Sequence, residues 1–317
     1  SHRARYDREM IGMDRTAAHI RGTIESRGRT FVVEAQLARG RTRKLFSNGV
    51  RLKNAGELAG VLNTVLFCPE DLYLIREGAA ARRRFLDSAI CQLRPRYAQA
   101  LAEYGRLYEH KTRILRDWNE HPSLLSALDD FDLRMAQMGA LLIHYRAHFV
   151  KRLQEAAPPI HRDFSGGGEE LGLTYTTVSN IPDPLASPKE LLPLLLDHQA
   201  RHKQAELDSR QCLSGPHKDD LLVDINGLSA KTYGSQGQTR TAALSLKLAQ
   251  REIFQAETEE WPVLLLDDVL SELDSRRQAF ILNRIRGGQV FITCCEEEKL
   301  EGLEGGKAFH VQGGSLI

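Results

Sequence analysis

The chain has 317 residues, enough for one large domain or two ordinary ones that fold without disulfides or structural metal. Its five cysteines show neither a Cys-x-x-Cys spacing nor a zinc-finger register with histidine, and their odd number favours a reducing cytoplasm over a disulfide framework. No apolar run approaches about eighteen residues and no charged-then-apolar leader is present, so we expect neither a membrane span nor secretion.

The formal net charge of +1 hides an uneven distribution. Residues 1–60 contain 13 Lys and Arg against 6 Asp and Glu, a surplus of 13 − 6 = 7. Residues 257–304 contain 12 acidic and 5 basic residues, which gives the opposite balance, 5 − 12 = −7. The basic portion fits either a surface that follows a phosphate backbone or a solvated arginine-rich face.

Short alternating runs between residues 17 and 53 predict an antiparallel meander, with strands at 20–25, 30–37 and 43–46 separated by glycine-containing turns. Residues 65–68 predict a short buried strand, and 69–71 predict its exit and a helix start.

A helix-rich region follows. Residues 79–116 contain one helix breaker, Pro95, and a long helix from 126 to 157 is expected to end at Pro158-Pro159. Apolar residues at helical spacing in that long helix predict core or an interhelical seam (Leu141, Leu142, Tyr145, Phe149).

The rest of this region is predicted to hold a flexible glycine loop at 165–168, a strand at 171–178 that rejoins the main sheet, and a helix from 188 to 211. Arg82-Arg83-Arg84, at the entrance to the region, is its sharpest charge cluster. The triplet fits a solvated helix face or pairing with nearby acids, and a DNA-backbone contact is the alternative.

The stretch after Gly215-Pro-His217 predicts a strand at 221–225, a tight turn at Asn226-Gly227 and then a helix. His217 has no second histidine or cysteine at ligand spacing, so we interpret it as a hydrogen-bonded structural residue and not a metal ligand.

The helix that follows begins with a capping-box pattern, Ser235 with Gln238 three residues on. Gly234 and Gly237 flank the cap and leave backbone N–H groups open at a helix N-terminus, where the helix dipole favours a phosphate. A plain helix cap explains the same residues locally.

Residues 263–266 form an uninterrupted apolar run, typical of a strand buried on both faces, and Asp267 and Asp268 end it. Ligands of open α/β sheets bind at the carboxyl ends of strands, so one carboxylate suits Mg²⁺ and the other a water. An Asp-Asp turn is the alternative. Asp274 is predicted to cap a helix at 275–286, and with the strand at 289–295 this gives a right-handed βαβ unit.

Together these stretches resemble motifs of ATP-binding-cassette ATPases. Residues 235–238 resemble the signature motif, 264–268 the Walker B motif and 271–274, Ser-Glu-Leu-Asp, the D-loop. Within that superfamily the chain is most similar to the RecF family of bacterial recombination mediators. The resemblance spans almost the whole sequence, is weakest between about 115 and 205, and has further support in four short stretches: 1–3, 67–72, 83–87 and 213–220.

The sequence departs from the family at one motif. No Gly-x-x-x-x-Gly-Lys-Ser/Thr phosphate-binding loop occurs in the 317 residues, and the Gly305-Gly306-Lys307-Ala308 stretch lacks both the first glycine and the final hydroxyl. Because the chain begins at Ser1 without a methionine, we expect that a segment with this motif precedes it.

The resemblance implies an α/β fold: an ATP-binding-cassette-type head, with a mixed sheet, helices and an antiparallel meander, and an inserted helical lobe. The expected division is 1–75 for the first part of the ATPase lobe, 76–208 for the helical lobe and 209–317 for the part with the signature, Walker B and D-loop.

The implied function is recombinational gap repair and replication-fork maintenance by a protein that binds single-stranded and gapped duplex DNA. ATP and Mg²⁺ are the implied cofactors, an ATP-dependent homodimer the implied assembly, RecO and RecR the implied partners in loading RecA, and weak DNA-stimulated ATP hydrolysis the implied activity.

The resemblance also assigns residues. Ser235, Gly237 and Gln238 would bind the γ-phosphate held by the other protomer, and Ser271 and Asp274 would complete the nucleotide site. Asp267 would hold Mg²⁺ and Asp268 would orient or activate the water. Most of the superfamily has Glu at this last position, so the shorter Asp predicts slow hydrolysis.

Two alternatives remain at this point. The missing phosphate-binding loop favours a truncated nucleic-acid-binding or scaffold module without catalysis of its own. A transporter ATPase is disfavoured by the helical insert.

Overall fold

The computed structural model describes residues 4, 6–53, 55–58, 60–285, 287–295, 306–313 and 315–317. The opening triplet 1–3 and residue 305 of the Gly-Gly-Lys stretch lie outside this range. The helices are α1 Ala79–Leu93, α2 Pro95–Asp117, α3 Leu128–Ser165, α4 Pro188–Ser209, α5 Ala230–Tyr233, α6 Gln236–Thr258 and α7 Ser275–Arg284. The strands are β1 Ala17–Ser26, β2 Arg29–Ala38, β3 Lys44–Ser47, β4 Val50–Leu52, β5 Thr64–Phe67, β6 Leu171–Thr176, β7 Asp220–Ile225, β8 Leu228–Ser229, β9 Val263–Asp267, β10 Val290–Thr293, β11 Val311–Gln312 and β12 Ser315–Leu316.

The meander is confirmed as a four-stranded antiparallel sheet in the order β1-β2-β3-β4. Its turns use residues that tolerate positive φ, as in Asn48-Gly49, where φ is 49° and 77°. The tip of the β1–β2 hairpin meets the end of α6, because the Glu260 carboxylate accepts hydrogen bonds from the Ser26 hydroxyl at 2.6 Å and the Arg27 amide at 2.5 Å. The meander is therefore tied to the part of the chain that carries the signature helix.

The apolar run at 263–266 is confirmed as the central strand of a parallel sheet, in the order β10-β9-β5. Neighbours on both sides explain why this strand is apolar throughout, and Leu264 and Leu266 are buried. Pairing of β5 with β9 joins residues about 200 positions apart into one sheet.

The expectation that residues 171–178 rejoin the main sheet is wrong. Strand β6 pairs antiparallel with β7, and β7 with β8, in a separate three-stranded sheet. An alternating apolar strand cannot indicate which of two sheets it joins, because both offer a hydrophobic face. The predicted tight turn is confirmed at Asn226-Gly227, with φ of 53° and 76° between β7 and β8.

The long helix does not end at Pro158-Pro159 as predicted. Helix α3 continues through both prolines to Ser165 and stops at Gly166, which has φ 69°. Each proline removes one N–H bond to the carbonyl four residues earlier, at Gln154 and Glu155, and both residues are exposed, so water can satisfy those carbonyls. Phe164 is buried, and its ring centroid lies 3.8 Å from that of Phe280 in α7. This packing stabilises the extension of the helix.

A hydrophobic core joins the parallel sheet and the β6-β7-β8 sheet to the long helices. It includes Val65 of β5, Leu142 and Phe149 of α3, Leu246 of α6 and Leu264 of β9. The mixed helix and sheet architecture confirms the predicted α/β class, and the predicted apolar face of α3 lies in this core. Within the described residues, no helix is long and apolar enough to cross a bilayer. The three-part division of the chain stays a prediction.

A buried arginine fastens the helices to the segment before β7. The Arg146 guanidinium in α3 pairs with both oxygens of Asp87 in α1, at 2.9 and 3.0 Å, and with Asp219 at 2.7 Å. Nη1 also donates to the Pro216 carbonyl at 2.7 Å, and Nε is shared between Asp87 and the Tyr97 hydroxyl, which lies 3.0 Å away. We call this group the Arg146 cluster. Each group in the cluster is charged or polar, and without these contacts it would be buried with no hydrogen-bond partner.

The arginine triplet at the start of α1 is part of the same junction. Arg82 is only 4% exposed and pairs with Asp220 at 2.7 and 2.8 Å, and Arg83 donates to the Asp219 carbonyl at 2.6 Å. Pairing with nearby acids is therefore confirmed for Arg82. The alternative, that Arg82 contacts DNA, is wrong, because its donors bind groups inside the protein. Arg84 is exposed.

His217 is a hydrogen-bonded structural residue, as the sequence predicts. Its Nδ1 lies 2.7 Å from the Tyr104 hydroxyl and its Nε2 lies 3.0 Å from the Cys212 carbonyl, the arrangement of a neutral ring that donates from Nε2. Burial lowers the pKa of His217 to about 4, and the neighbouring Lys218 and Lys111 act in the same direction.

We predict that Arg146→Ala lowers the free energy of unfolding by about 3–5 kcal/mol, because Asp219 then stays fully buried, and Asp87 partly buried, without their partner. Arg152→Ala is the matched control on the same helix. The Arg152 side chain is 38% exposed and pairs with Glu257, so its loss should cost about 1 kcal/mol or less. Urea unfolding of the two variants measures the difference, and equal losses would contradict a structural role of the Arg146 cluster.

We also predict that stability falls as the pH drops from about 6.5 towards 4. The unfolded chain binds a proton to His217 in this window and the folded chain does not, so the unfolded state gains as pH falls. His217→Asn should flatten the profile, while His121→Asn, at an exposed position, should leave it unchanged. Midpoints of urea unfolding at several pH values between 4 and 7.5 test this, and parallel profiles for wild type and His217→Asn would contradict it.

Candidate functional site: a capped helix and a strand end

The signature stretch is a sharp turn between two helices. Helix α5 ends at Tyr233 and α6 begins at Gln236, so only Gly234 and Ser235 separate the two. A Cβ on Gly234 would lie 2.4 Å from the Ala230 carbonyl oxygen, so this close approach requires glycine. The close backbone contact at Gly234 therefore restricts the shape of this turn, whatever the side chains of its neighbours.

Ser235 and Gln238 form the predicted capping box. The Ser235 hydroxyl accepts the Gln238 amide N–H at 3.2 Å, and the Gln238 side-chain oxygen accepts the Ser235 N–H at 2.8 Å. Ser235 and Gln236 are exposed. The first turn of a helix has N–H groups without partners inside the helix, so this end presents donors and the positive end of the dipole to solvent.

Gly237, at the second position of the helix, keeps this end open. A Cβ there would lie 3.1 Å from the Arg277 guanidinium. Arg277 donates to the Gly237 carbonyl at 3.3 Å and to the Thr241 hydroxyl at 3.1 Å. A capped helix N-terminus of this kind can bind a phosphate group, and the nucleotide contact itself stays a prediction.

Arg277 also connects this helix to the D-loop. Its guanidinium pairs with Asp274, and its own amide donates to the Asp274 carboxylate at 3.0 Å, which makes Asp274 the predicted N-cap of α7. The hydrogen bond from the Arg277 amide and the pairing with its guanidinium lower the pKa of Asp274. The D-loop and the signature turn are therefore held by one side chain, which the sequence alone did not indicate.

The two carboxylates at the end of β9 have different surroundings. The Thr293 hydroxyl in β10 donates to Asp267 at 2.7 Å, and this bond orients the carboxylate at the carboxyl end of β9. Asp268 has a φ of 55°, and its carboxylate accepts from the Ser271 hydroxyl at 2.5 Å. The two carboxylates therefore have different partners, Thr293 and Ser271, and their division into a metal ligand and a water-orienting group stays a prediction.

Within the described residues, no three His, Cys, Asp or Glu side chains group as a metal site. Mg²⁺ takes one or two carboxylates beside phosphate oxygens and waters, so a single oriented Asp267 at a strand end fits this ion when a nucleotide is present.

Sequence analysis missed a partner of the signature motif, Glu169. It follows the glycine loop after α3, and its carboxylate accepts from the Gln238 side-chain amide at 2.9 Å and lies 3.1 Å from Nε2 of His161. A lone glutamate 69 positions away from Gln238 in sequence carries no spacing signal, so only the fold reveals it.

A second missed contact joins α6 to the 67–72 stretch. Lys247 donates to the Leu66 carbonyl at 3.0 Å and pairs with Asp71 at 2.8 Å. Asp71 also accepts from the Cys68 amide at 3.0 Å. Burial and the Asp71 charge raise the pKa of the Cys68 thiol to about 12, so Cys68 is structural and not a nucleophile.

Most of the lysines and arginines of residues 1–60 lie on the meander and its turns. Its lysines and arginines are exposed, and three of them have nearby partners: Arg21 with Glu34, Arg43 with Asp7, and Arg39 with backbone carbonyls of residues 12–15. Others extend from the sheet and its turns (Arg27, Arg29, Arg41, Lys44, Arg51, Lys53). An open groove of about 420 Å³ on the same sheet is lined in part by Arg41 and Lys44. This surface has the charge expected for contact with a phosphate backbone.

Comparisons with known proteins point to one family. No family model matches the chain. The DNA replication and repair protein RecF of Acetivibrio thermocellus is 37% identical over 312 residues, which cover 98% of this chain and 84% of that protein. RecF of Agathobacter rectalis is also 37% identical, over 318 residues that cover 100% of this chain and 85% of its own length.

Solved structures agree. The recombination mediator protein RecF-ATP in the RecFOR pathway superposes with a TM-score of 0.90 at 31% identity, covering 100% of this chain and 84% of that one. The corresponding RecF-ATPrS structure gives 0.89 at 31% identity, with 98% and 82% covered. Identity above 30% along essentially the whole chain, with a shared fold, confirms the predicted resemblance, and the chain belongs to the RecF family of DNA replication and repair proteins.

Proposed function

We propose that this protein is an ATP-switched DNA-binding protein of recombinational gap repair, in which two copies enclose ATP between them. The observation that supports this best is the exposed, capped N-terminus of α6, with Ser235 at the cap and Gly237 in the first turn. A capping box alone does not need solvent exposure, whereas a helix end that binds a phosphate from another subunit must be accessible.

In this proposal Ser235, Gly237 and Gln238 act in trans on the γ-phosphate of a nucleotide held mainly by the other protomer. The first-turn amides and the Ser235 hydroxyl supply donors, and the helix dipole favours the negative charge. Gln238 keeps Ser235 in place through the capping box.

Asp267 would hold Mg²⁺, which would supply positive charge against the phosphate groups. Thr293 keeps the Asp267 carboxylate oriented, and Ser271 does the same for Asp268. Asp268 would orient or activate the attacking water. Its side chain is one methylene shorter than Glu, which agrees with slow turnover and with a switch more than a motor.

Asp274 and Ser271 belong to the D-loop, and Arg277 ties that loop to the signature turn. A contact that the D-loop makes across the dimer would therefore also affect the position of the signature turn, and the reverse. The exposed basic side chains of the meander would hold DNA, single-stranded or gapped duplex, through its backbone. The RecFOR context of the solved relatives supports RecO and RecR as partners in loading RecA, in the bacterial cytoplasm.

We predict that Asp268→Asn suppresses ATP turnover at least tenfold and preserves ATP-dependent dimerisation. Asn adopts positive φ readily and still accepts from Ser271, so the turn survives, while the base is lost. The control is Asp130→Asn at an exposed position of α3. Phosphate release and sedimentation of the full-length protein with and without ATP-Mg²⁺ measure both properties. Unchanged turnover would refute the assignment of Asp268.

We further predict that Ser235→Arg blocks the ATP-bound dimer by bulk at the helix end, and so weakens DNA binding only when ATP is present. Ser187→Arg is a matched control, because Ser187 caps α4 with the same capping box, at 3.4 Å to the Glu190 amide, and is exposed. Both variants lose a cap worth about 1 kcal/mol, so a loss of stability alone would affect them alike.

The measurement is a DNA titration of the full-length protein and both variants, with and without ATP-Mg²⁺, at two salt concentrations. Binding through backbone phosphates should weaken steeply with salt for all three proteins. An equal loss in both nucleotide conditions for Ser235→Arg would mean that Ser235 is only a helix cap, and would favour a nucleic-acid-binding module without a nucleotide switch.

A further inference from the structure

The glycine loop after α3 places one carboxylate against the signature turn. Gly166 and Gly167 have φ of 69° and 86°, which reverses the chain at the helix end and returns it along α3. The Ser165 hydroxyl accepts the Glu169 amide at 3.2 Å. On the other side, Glu170 and Asn226 exchange two hydrogen bonds of 2.8 Å. The position of Glu169 is therefore set by backbone contacts on both sides.

The Glu169 side chain is 22% exposed and uses both oxygens. One accepts from the Gln238 side-chain amide at 2.9 Å, and the other lies 3.1 Å from Nε2 of His161, which is fully buried. Nδ1 of His161 lies 3.4 Å from the Ser245 hydroxyl, which itself donates to the Thr241 carbonyl at 2.8 Å. A chain of contacts thus runs from buried α3 to the signature residue.

This contact decides which way the Gln238 amide points. The oxygen of Gln238 must face the Ser235 N–H to complete the capping box, and its NH₂ group must then face outward from that bond. Glu169 accepts only and therefore takes the NH₂ group. Without an acceptor at this place, the amide is free to rotate and the capping box loses its second half.

We propose that Glu169 is a positioning residue for the signature turn, which acts through Gln238 to hold Ser235 ready for the partner's nucleotide. The functional part of this inference rests on the ATP-dependent dimer proposed above. The positioning part concerns the local order of the turn and has its own readout, hydrogen exchange of the backbone amides.

The test compares Glu169→Met, which keeps the length of the side chain and removes the acceptor, with Glu169→Gln, which keeps an acceptor oxygen. Glu170→Met is the matched control, because Glu170 is the next residue and its side chain is 81% exposed. In the full-length protein, Glu169→Met should raise amide exchange in peptides covering residues 234–240 about fivefold. Glu169→Gln and Glu170→Met should stay within about twofold of wild type.

A double variant separates positioning from general destabilisation. If Glu169 acts through Gln238, Gln238→Ala alone should reproduce the faster exchange, and adding Glu169→Met should change exchange in 234–240 no further. Additive increases in the double variant, or wild-type exchange in Glu169→Met, would overturn the proposal. A rise spread evenly over distant peptides such as 97–107 would also overturn it, because that is the result of lost stability.

The second readout is the dimer. Sedimentation with ATP-Mg²⁺ should show a dissociation constant about fivefold higher for Glu169→Met than for wild type, with Glu169→Gln and Glu170→Met unchanged. Wild-type protein that stays monomeric with ATP would contradict the proposed function, while exchange still decides the positioning role. A wild-type dimer that Glu169→Met forms equally well would refute the functional part of the inference alone.

Discussion

The buried guanidinium of Arg146 is the interaction on which the arrangement of the chain depends. It pairs with Asp87 of α1 and Asp219 ahead of β7, and it also binds the carbonyl of Pro216. A charge this deep is tolerated only when it is paired and hydrogen-bonded, so the three segments it touches cannot move apart without leaving an unpaired ion in the core. Arg82 of α1 makes a similar pair with Asp220, the residue after Asp219. These contacts hold helices α1 and α3 against the segment before β7. Strand β7 belongs to the β6-β7-β8 sheet, and α5 and α6 come directly after that sheet in the chain.

Three contacts hold the signature turn in place. Gly234 sets the close approach of α5 and α6, Arg277 ties the first turn of α6 to the D-loop, and Glu169 reaches Gln238 from the end of α3. Farther along α6, Lys247 binds the end of β5. A helix end held in this way is preorganised for a ligand, because little ordering remains to be done when the phosphate arrives.

Sequence alone could predict elements whose signal is local. The capping box at Ser235, the buried run before Asp267 and the Asn226-Gly227 turn each depend on a few adjacent residues, and the structure has all three. The errors came where distant contacts decide. Prolines 158 and 159 predict a helix end, yet packing of Phe164 on Phe280 carries the helix onward. Likewise β6 joins β7 and not the parallel sheet. Glu169 and Arg277 were missed because neither belongs to a recognisable spacing, and only the fold brings them to the signature turn.

The central claim is that the capped end of α6 faces a phosphate bound by a second copy of the protein. The most direct measurement is a structure of the full-length Asp268→Asn protein with ATP-Mg²⁺. The account predicts a dimer in which the Ser235 hydroxyl and the first-turn amides of α6 lie within hydrogen-bonding distance of the γ-phosphate held by the partner subunit. A nucleotide-bound protein in which Ser235 faces solvent, or in which the dimer forms through another surface, would contradict it.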